Sequence, residues 1–263
     1  MIFCTDLDNT LIYSGRHEIG AEKICVEYYQ GREASYMTKR SLALLEKLRG
    51  GKLKNRLRIV PVTTRTVEQY QRIHIGDAPF EYALTCNGGL LLCNGETDRA
   101  WLRESKELVA DMREEVVRGI RLLEKDENRI MEIRDIEELF VFTKSSEPEE
   151  TIRRMGEQLD LSKVGLFQNG VKVYIVPKGL DKGTGIKRLA KKLREDKIFA
   201  AGDSNFDIPM LKVADYSFLP EKLAKAWKDS ENLKIPENPE TMHIVGENRI
   251  FSDEILKILC EIT

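Results

Sequence analysis

Apolar positions along this chain follow two rhythms. In the first, a short and nearly continuous apolar run leads through a polar loop into a stripe of helical period. It opens with Met1-Ile-Phe-Cys-Thr5, and returns at Leu57–Val62, Tyr82–Thr85, Lys197–Ala201 and Tyr216–Leu219. Runs apolar at successive positions suit strands covered on both faces, as in a parallel sheet. The helix-period partners are Lys39–Leu48, a segment from Thr66 to about Ile75, Gly183–Leu193, Ile208–Val213 and the C-terminal stretch to Ile262. Leu42, Leu45 and Leu48 share one stripe, with Thr38 as N-cap and Gly50-Gly51 as stop. Ser252 is the expected N-cap of the last helix. Two β-prone runs between Ile24 and Met37 flank Gln30-Gly31 and predict a hairpin. Asp229–Glu240, with Pro236 and Pro239, reads as a polar loop.

The second rhythm occupies the middle of the chain. Leu90–Cys93 and Asn94-Gly95 start a hairpin. A helical stripe over Glu104–Glu124 then precedes strand-like runs at Ile130–Arg134 and Leu139–Thr143. A second, over Pro148–Leu159, precedes Val164–Gln168 and Val171–Val176. Strands joined by short turns pair antiparallel, so this is an α+β unit set into a parallel one. The predicted fold is α/β: a Rossmann-like parallel-sheet core of residues 1–85 and 178–263, interrupted by an inserted domain of residues 86–177.

Composition narrows the function classes. The chain has 263 residues, 41% hydrophobic and 33% charged, with a net charge of −2. That balance gives no reason to expect nucleic acid or an anionic membrane as partner. No apolar run approaches the ~20 residues of a membrane span. Acidic residues within the first six positions argue against a secretory leader. Five scattered cysteines without a CxxC pair fit reduced thiols in a cytoplasmic protein rather than zinc ligands or a disulfide framework.

Candidate chemistry lies in the loops that follow the core strands or open its helices. They hold Asp6 and Asp8 with Thr10, then Thr63, then Lys182, then Asp203 and Asp207. Strand C-termini of a parallel sheet share one edge, so distant loops can converge there. Carboxylates crowded together repel unless a hard cation lies among them, and oxygen donors suit Mg²⁺. A lysine and a hydroxyl beside them suit an anion of several oxygens, such as phosphate.

The four segments resemble the motifs of the haloacid dehalogenase-like phosphohydrolases, in that family's order. They are Asp6-Leu-Asp-Asn-Thr10, Val62-Thr63, Asp181-Lys182-Gly183 and Gly202-Asp203-Ser-Asn-Phe-Asp207. The insert is similar to the family's large α/β caps, whose bearers mostly hydrolyse sugar phosphates and other small phosphorylated metabolites. The resemblance implies a mechanism. Asp6 would be the nucleophile that forms an aspartyl-phosphate, and Asp8 the general acid and base. Asp6, the Asp8 carbonyl and Asp203 would hold Mg²⁺, Thr63 and Lys182 would bind phosphoryl oxygens, and Asp207 would orient Lys182 or a metal-bound water. Thr10 supports the loop.

Two positions depart from the family pattern. Thr63-Thr64-Arg65 stands where Thr-Gly-Arg is usual, placing Thr64 and Arg65 beside the substrate. Phe206-Asp207 replaces Asn-Asp, with Asn205 one residue earlier as a substitute amide. Asn87, in Cys86-Asn87-Gly88, resembles the Asn-Gly pair that lines the cleft in relatives. Arg134 reads as a solvated strand residue more readily than as a substrate contact. The implied activity is an Mg²⁺-dependent phosphatase; the alternatives are a phosphomutase or a phosphate-binding regulatory protein with weak turnover.

Overall fold

A computed structural model describes residues 1–50, 57–229 and 241–263. Gly51 and most of the expected Asp229–Glu240 loop lie outside the described residues. The chain divides into two compact units, Met1–Asp98 with Asp181–Thr263, and Arg99–Leu180.

In the first unit, five described strands form a parallel sheet in the order Met242–Val245, Tyr216–Pro220, Ile198–Ala201, Ile2–Thr5, Arg58–Pro61. The N-terminal strand pairs with Ile198–Ala201 on one side and Arg58–Pro61 on the other, and all four of its residues are buried. Its apolar run is continuous because both faces are covered. Phe3 meets Phe218 edge to face, with ring centroids 6.4 Å apart. The helices Lys39–Arg49 and Phe251–Ile262 add Leu45, Leu48, Ile255 and Leu259 to the same core.

Tyr82–Thr85 was expected to extend this sheet. It pairs antiparallel with Leu90–Cys93 in a small sheet of its own, and meets the core through one parallel bridge, Val62 to Leu84. The reason lies in Pro61. Arg58 and Val62 donate to Met1 and Thr5, so the alternate N–H groups face Tyr82–Thr85, and Pro61 has none to give.

The hairpin forms as expected, with strands Lys23–Tyr29 and Arg32–Thr38 and both Gln30 and Gly31 at positive φ. Its register slips on either side of Glu27. The helix after Thr66 covers only Val67–Tyr70, because the chain beyond it pairs with the hairpin: His74 donates to the Val26 carbonyl, and Ile73 bridges to Glu27. Ser252 is not an N-cap. The last helix starts at Phe251, and the Tyr13 hydroxyl accepts the Ser252 N–H at 3.0 Å, doing the capping from another segment. The helix Glu221–Asp229 and the strand Met242–Val245 were not anticipated.

The second unit contains an antiparallel sheet in the order Val164–Asn169, Lys172–Pro177, Phe140–Lys144, Arg134–Ile136. Helices Arg113–Glu124 and Pro148–Gly156 supply Val116, Leu123 and Met155 to its core with Val141, Val173 and Ile175. A Cβ on Gly119 would lie 2.4 Å from Ile175 Cδ1, so glycine lets helix and sheet approach closely without displacing the Ile175 side chain. The expected single helix Glu104–Glu124 begins earlier, at Arg99, and is broken by a 3₁₀ turn at Ala110–Met112. The expected strand Ile130–Arg134 is interrupted: Ile130 donates its N–H to the Lys144 carbonyl, the Thr143 hydroxyl then takes the Met131 carbonyl, and the ladder resumes only at Arg134. Among the described residues, no helix is long and apolar enough to cross a membrane.

Candidate active site

All the core loops singled out in the sequence open on one edge of the parallel sheet. Asp6 follows the N-terminal strand directly and donates its N–H to the Ala201 carbonyl. The chain then makes a single tight turn, in which Thr10, Leu11 and Ile12 all donate to the Leu7 carbonyl and Asn9 takes φ 61°. Asp6 is buried, while the Asp8 side chain is half exposed.

Lys182 is the first residue of the helix Lys182–Leu193, which Asp181 caps by accepting from the Thr184 N–H. Its ammonium is 1% exposed and donates to Asp6 Oδ1 at 2.5 Å and Asp207 Oδ1 at 2.6 Å. Asp207 spends its other oxygen on the N–H groups of Asp203 and Ser204 and on the Ser204 hydroxyl. Both its oxygens are therefore engaged in holding the loop and the lysine. A Cβ on Gly202 would stand 2.3 Å from Asp207 Cβ, so only glycine lets the loop fold back in this way.

The electrostatics follow from crowding. Burial drives the Asp6 pKa well up; Lys182 opposes this, and Asp207, Asp203 and Asp8 add to it. Burial and Asp207 push Asp203 up to about 7. Burial works against the Lys182 cation, but Asp207 and Asp6 outweigh it, so the amine stays charged. Carboxylate oxygens of Asp6, Asp203 and Asp207 lie within 4.8 Å of one another. An all-oxygen set with more negative charge than one lysine neutralises fits a hard divalent cation. Thr10 Oγ1 reaches Asp203 Oδ1 at 3.4 Å.

Thr63 is buried at the end of Arg58–Pro61, its N–H on the Leu84 carbonyl. It does not cap the next helix. Thr66 does, in a capping box with Gln69. Thr63 Oγ1 instead accepts the Arg65 N–H, and among the described residues its own O–H has no acceptor, which leaves it available to an anion. Asn87 is joined to Thr63 through its N–H, on a turn where Cys86 and Asn87 both adopt positive φ. Thr64 is half-buried beside them.

Two candidates stand apart. Asn205 is exposed, whereas Phe206 is buried. Arg134 belongs to the second unit and pairs with Glu132. Arg65 has the richest surroundings. Its Nε and Nη2 grip Asp8 at 2.8 and 2.7 Å, while Nη1 and Nη2 grip Glu27 at 2.8 and 3.0 Å. Sequence reasoning missed Glu27. The available signal was an acid at an inward position of an otherwise β-prone hairpin.

A sequence profile of the haloacid dehalogenase-like hydrolases matches residues 63–226. No curated protein matches the sequence significantly. Among solved structures, the sucrose-phosphatase of Synechocystis in complex with sucrose and phosphate superposes with a TM-score of 0.64 at 15% identity, over 99% of this chain and 97% of that one. A subclass IIB sugar phosphatase gives 0.58 at 14%, covering 99% and 98%. A haloacid dehalogenase-like hydrolase of Bacillus subtilis gives 0.57 at 14%, covering 99% and 91%. At such identities the structures attest the fold; the profile, spanning more than half the sequence, attests the lineage. The chain belongs to the haloacid dehalogenase-like hydrolases.

Proposed function

We propose that the chain is an Mg²⁺-dependent phosphatase that hydrolyses a small phosphorylated metabolite, in the first place a sugar phosphate. The observation that carries this reading is Lys182, buried and bonded to both Asp6 and Asp207, with Asp203 alongside. A lysine so placed orients a nucleophilic carboxylate and offers its remaining N–H to a phosphoryl oxygen.

In this reading an Asp6 oxygen attacks phosphorus in line, and the bond to the leaving oxygen breaks as the phosphorus–Asp6 bond forms. Asp8 gives its proton to the leaving oxygen, then takes one from the water that attacks the aspartyl-phosphate, releasing phosphate and restoring Asp6. Thr63 and Lys182 hold phosphoryl oxygens, with Thr64 and Asn87 beside them. Asp207 keeps Lys182 and the Asp203 loop in place. Asp6, the Asp8 carbonyl and Asp203 are the groups that would hold Mg²⁺, whose charge offsets that of carboxylate and phosphoryl oxygens. The unit Arg99–Leu180 would act as the cap that selects the alcohol part of the substrate and shields the intermediate from bulk water. Five free cysteines are in keeping with a reducing cytoplasm.

The test is hydrolysis of p-nitrophenyl phosphate and of a panel of hexose and disaccharide phosphates, with Mg²⁺ or with EDTA. Wild-type protein turns over with Mg²⁺ only, and Asp6→Asn falls to background. Full activity in Asp6→Asn, or activity indifferent to EDTA, would refute the assignment.

A further inference from the structure

Arg65 has five N–H donors, and all five are taken by protein. Nε goes to Asp8 Oδ2 and Nη2 to Asp8 Oδ1 and Glu27 Oε2; Nη1 goes to Glu27 Oε1 and the Gln69 carbonyl. While it sits so, Arg65 has no N–H left for a substrate. Its work is to hold a carboxylate.

Glu27 is what keeps it there. This side chain is 3% exposed, in the middle of the hairpin strand Lys23–Tyr29, at the point where the register slips. The slip turns it inward. Besides Arg65 it accepts from the Ser35 hydroxyl at 2.6 Å and from Arg72 Nε at 3.1 Å. Burial raises its pKa, but the bonds from Arg65, Ser35 and Arg72 outweigh that and leave it below the ordinary carboxylate value. Arg72 in turn lies over the Tyr29 ring at 4.6 Å, fastening the outer side of the pair to the hairpin. An ionised, fully bonded carboxylate thus grips the far side of a guanidinium whose near side grips Asp8. Without it, a long flexible side chain would have to hold a half-exposed Asp8 with two of its donors unmet.

We infer that Glu27 is a positioning residue of the reaction: through Arg65 it fixes where the Asp8 carboxylate stands relative to the leaving oxygen. The inference rests on the role given to Asp8 above. Proton transfer is sensitive to such placement, and an error of about 1 Å can cost on the order of 100-fold in rate.

The experiment compares two substrates that differ in their need for a proton. Nitrophenolate leaves readily as the anion, whereas phenolate needs protonation, so p-nitrophenyl phosphate and phenyl phosphate separate loss of the acid from loss of everything else. Glu27→Gln keeps shape but sets an NH₂ against donors from Arg65, Arg72 and Ser35. The result is read in kcat/KM, because that ratio covers only the steps up to departure of the leaving group and not the hydrolysis of the aspartyl-phosphate common to both substrates. Expected is a fall on the order of 100-fold for phenyl phosphate and a far smaller fall for p-nitrophenyl phosphate. Asp8→Asn, run in parallel, shows the same split. Equal losses on both substrates, or no loss, in Glu27→Gln while Asp8→Asn keeps the split would overturn the role of Glu27. Absence of the split in Asp8→Asn would overturn it by the other route, by removing Asp8 as the acid. Should Glu27→Gln fail to fold, Glu27→Asp carries the same test, keeping the charge and withdrawing it by one methylene.

Discussion

Lys182 shows how one side chain sets the charge state of its neighbours. An ammonium that is 1% exposed survives only because Asp6 and Asp207 are bonded to it, and each of those carboxylates is buried because the ammonium is there. Removing one member of such a set strands the others. Lys182→Met is therefore expected to destabilise the metal-free protein by about 3–5 kcal/mol, read by urea unfolding. Asp207→Asn in the same chain should recover part of that loss, because the amide no longer needs a cation. Strict additivity of the two substitutions, within about 0.5 kcal/mol, would show that the lysine and Asp207 do not share an interaction. Asp207 was readable from the acidic loop, but its division of labour was not: one oxygen serves Lys182 and the other serves backbone N–H groups of its own turn.

Elements in the first unit are joined by buried polar contacts that no hydrophobic stripe announces. Thr38 caps the helix Lys39–Arg49 by accepting the Ser41 N–H at 2.9 Å, and its hydroxyl donates to Asp253 Oδ1 at 2.5 Å in the last helix. Ser41 adds bonds to Asp253 and to Ser252. Thr38→Val keeps the volume and removes both bonds, so a loss of about 2 kcal/mol is expected from the cap and the stranded partner together. Urea unfolding measures it, and kcat should not change; a loss below a few tenths of a kcal/mol would mean that water replaces the hydroxyl. The Thr38 cap was legible because N-capping is local. Its bond to Asp253, 215 positions away, was not. The same divide runs through the fold. Core strands, hairpins and the two helix–strand–strand units of the insert follow from local periodicity. The short helix at Val67–Tyr70, the separate sheet beyond Pro61 and the Ser252 amide on Tyr13 depend on what another segment offers. In the candidate site, motif order named Asp6, Asp8, Thr63, Lys182, Asp203 and Asp207. It could not name Glu27, which enters through a register slip in the hairpin.

At the scale of the whole molecule, folding gathers acids from both ends of the chain around one lysine, and with the proposed Mg²⁺ site its stability is expected to depend on protons and cations together. The Asp203 pKa of about 7 lies above its ordinary value of 3.8, so the folded state holds this proton more tightly than the unfolded chain does. That contribution is fully present below the ordinary value and is lost as pH rises toward about 7. Asp6 shifts in the same direction and adds to the loss. A divalent cation held there as proposed would reverse the trend, since it would bind the deprotonated carboxylates with an affinity that grows over the same interval. In EDTA, thermal stability should therefore decline between about pH 4 and pH 7, the window that Asp203 defines. Saturating Mg²⁺ should stabilise little at the acid end and most at the alkaline end. At a hundred times its dissociation constant, the ion adds about 2.7 kcal/mol, a rise of roughly 2–4 °C per kcal/mol for a chain of this size. Differential scanning calorimetry at the two pH values, with and without Mg²⁺, reads the effect directly. An Mg²⁺ shift of equal size at both, or none at either, would mean that the acidic cluster around Lys182 is balanced by protons and hydrogen bonds alone and does not hold a cation.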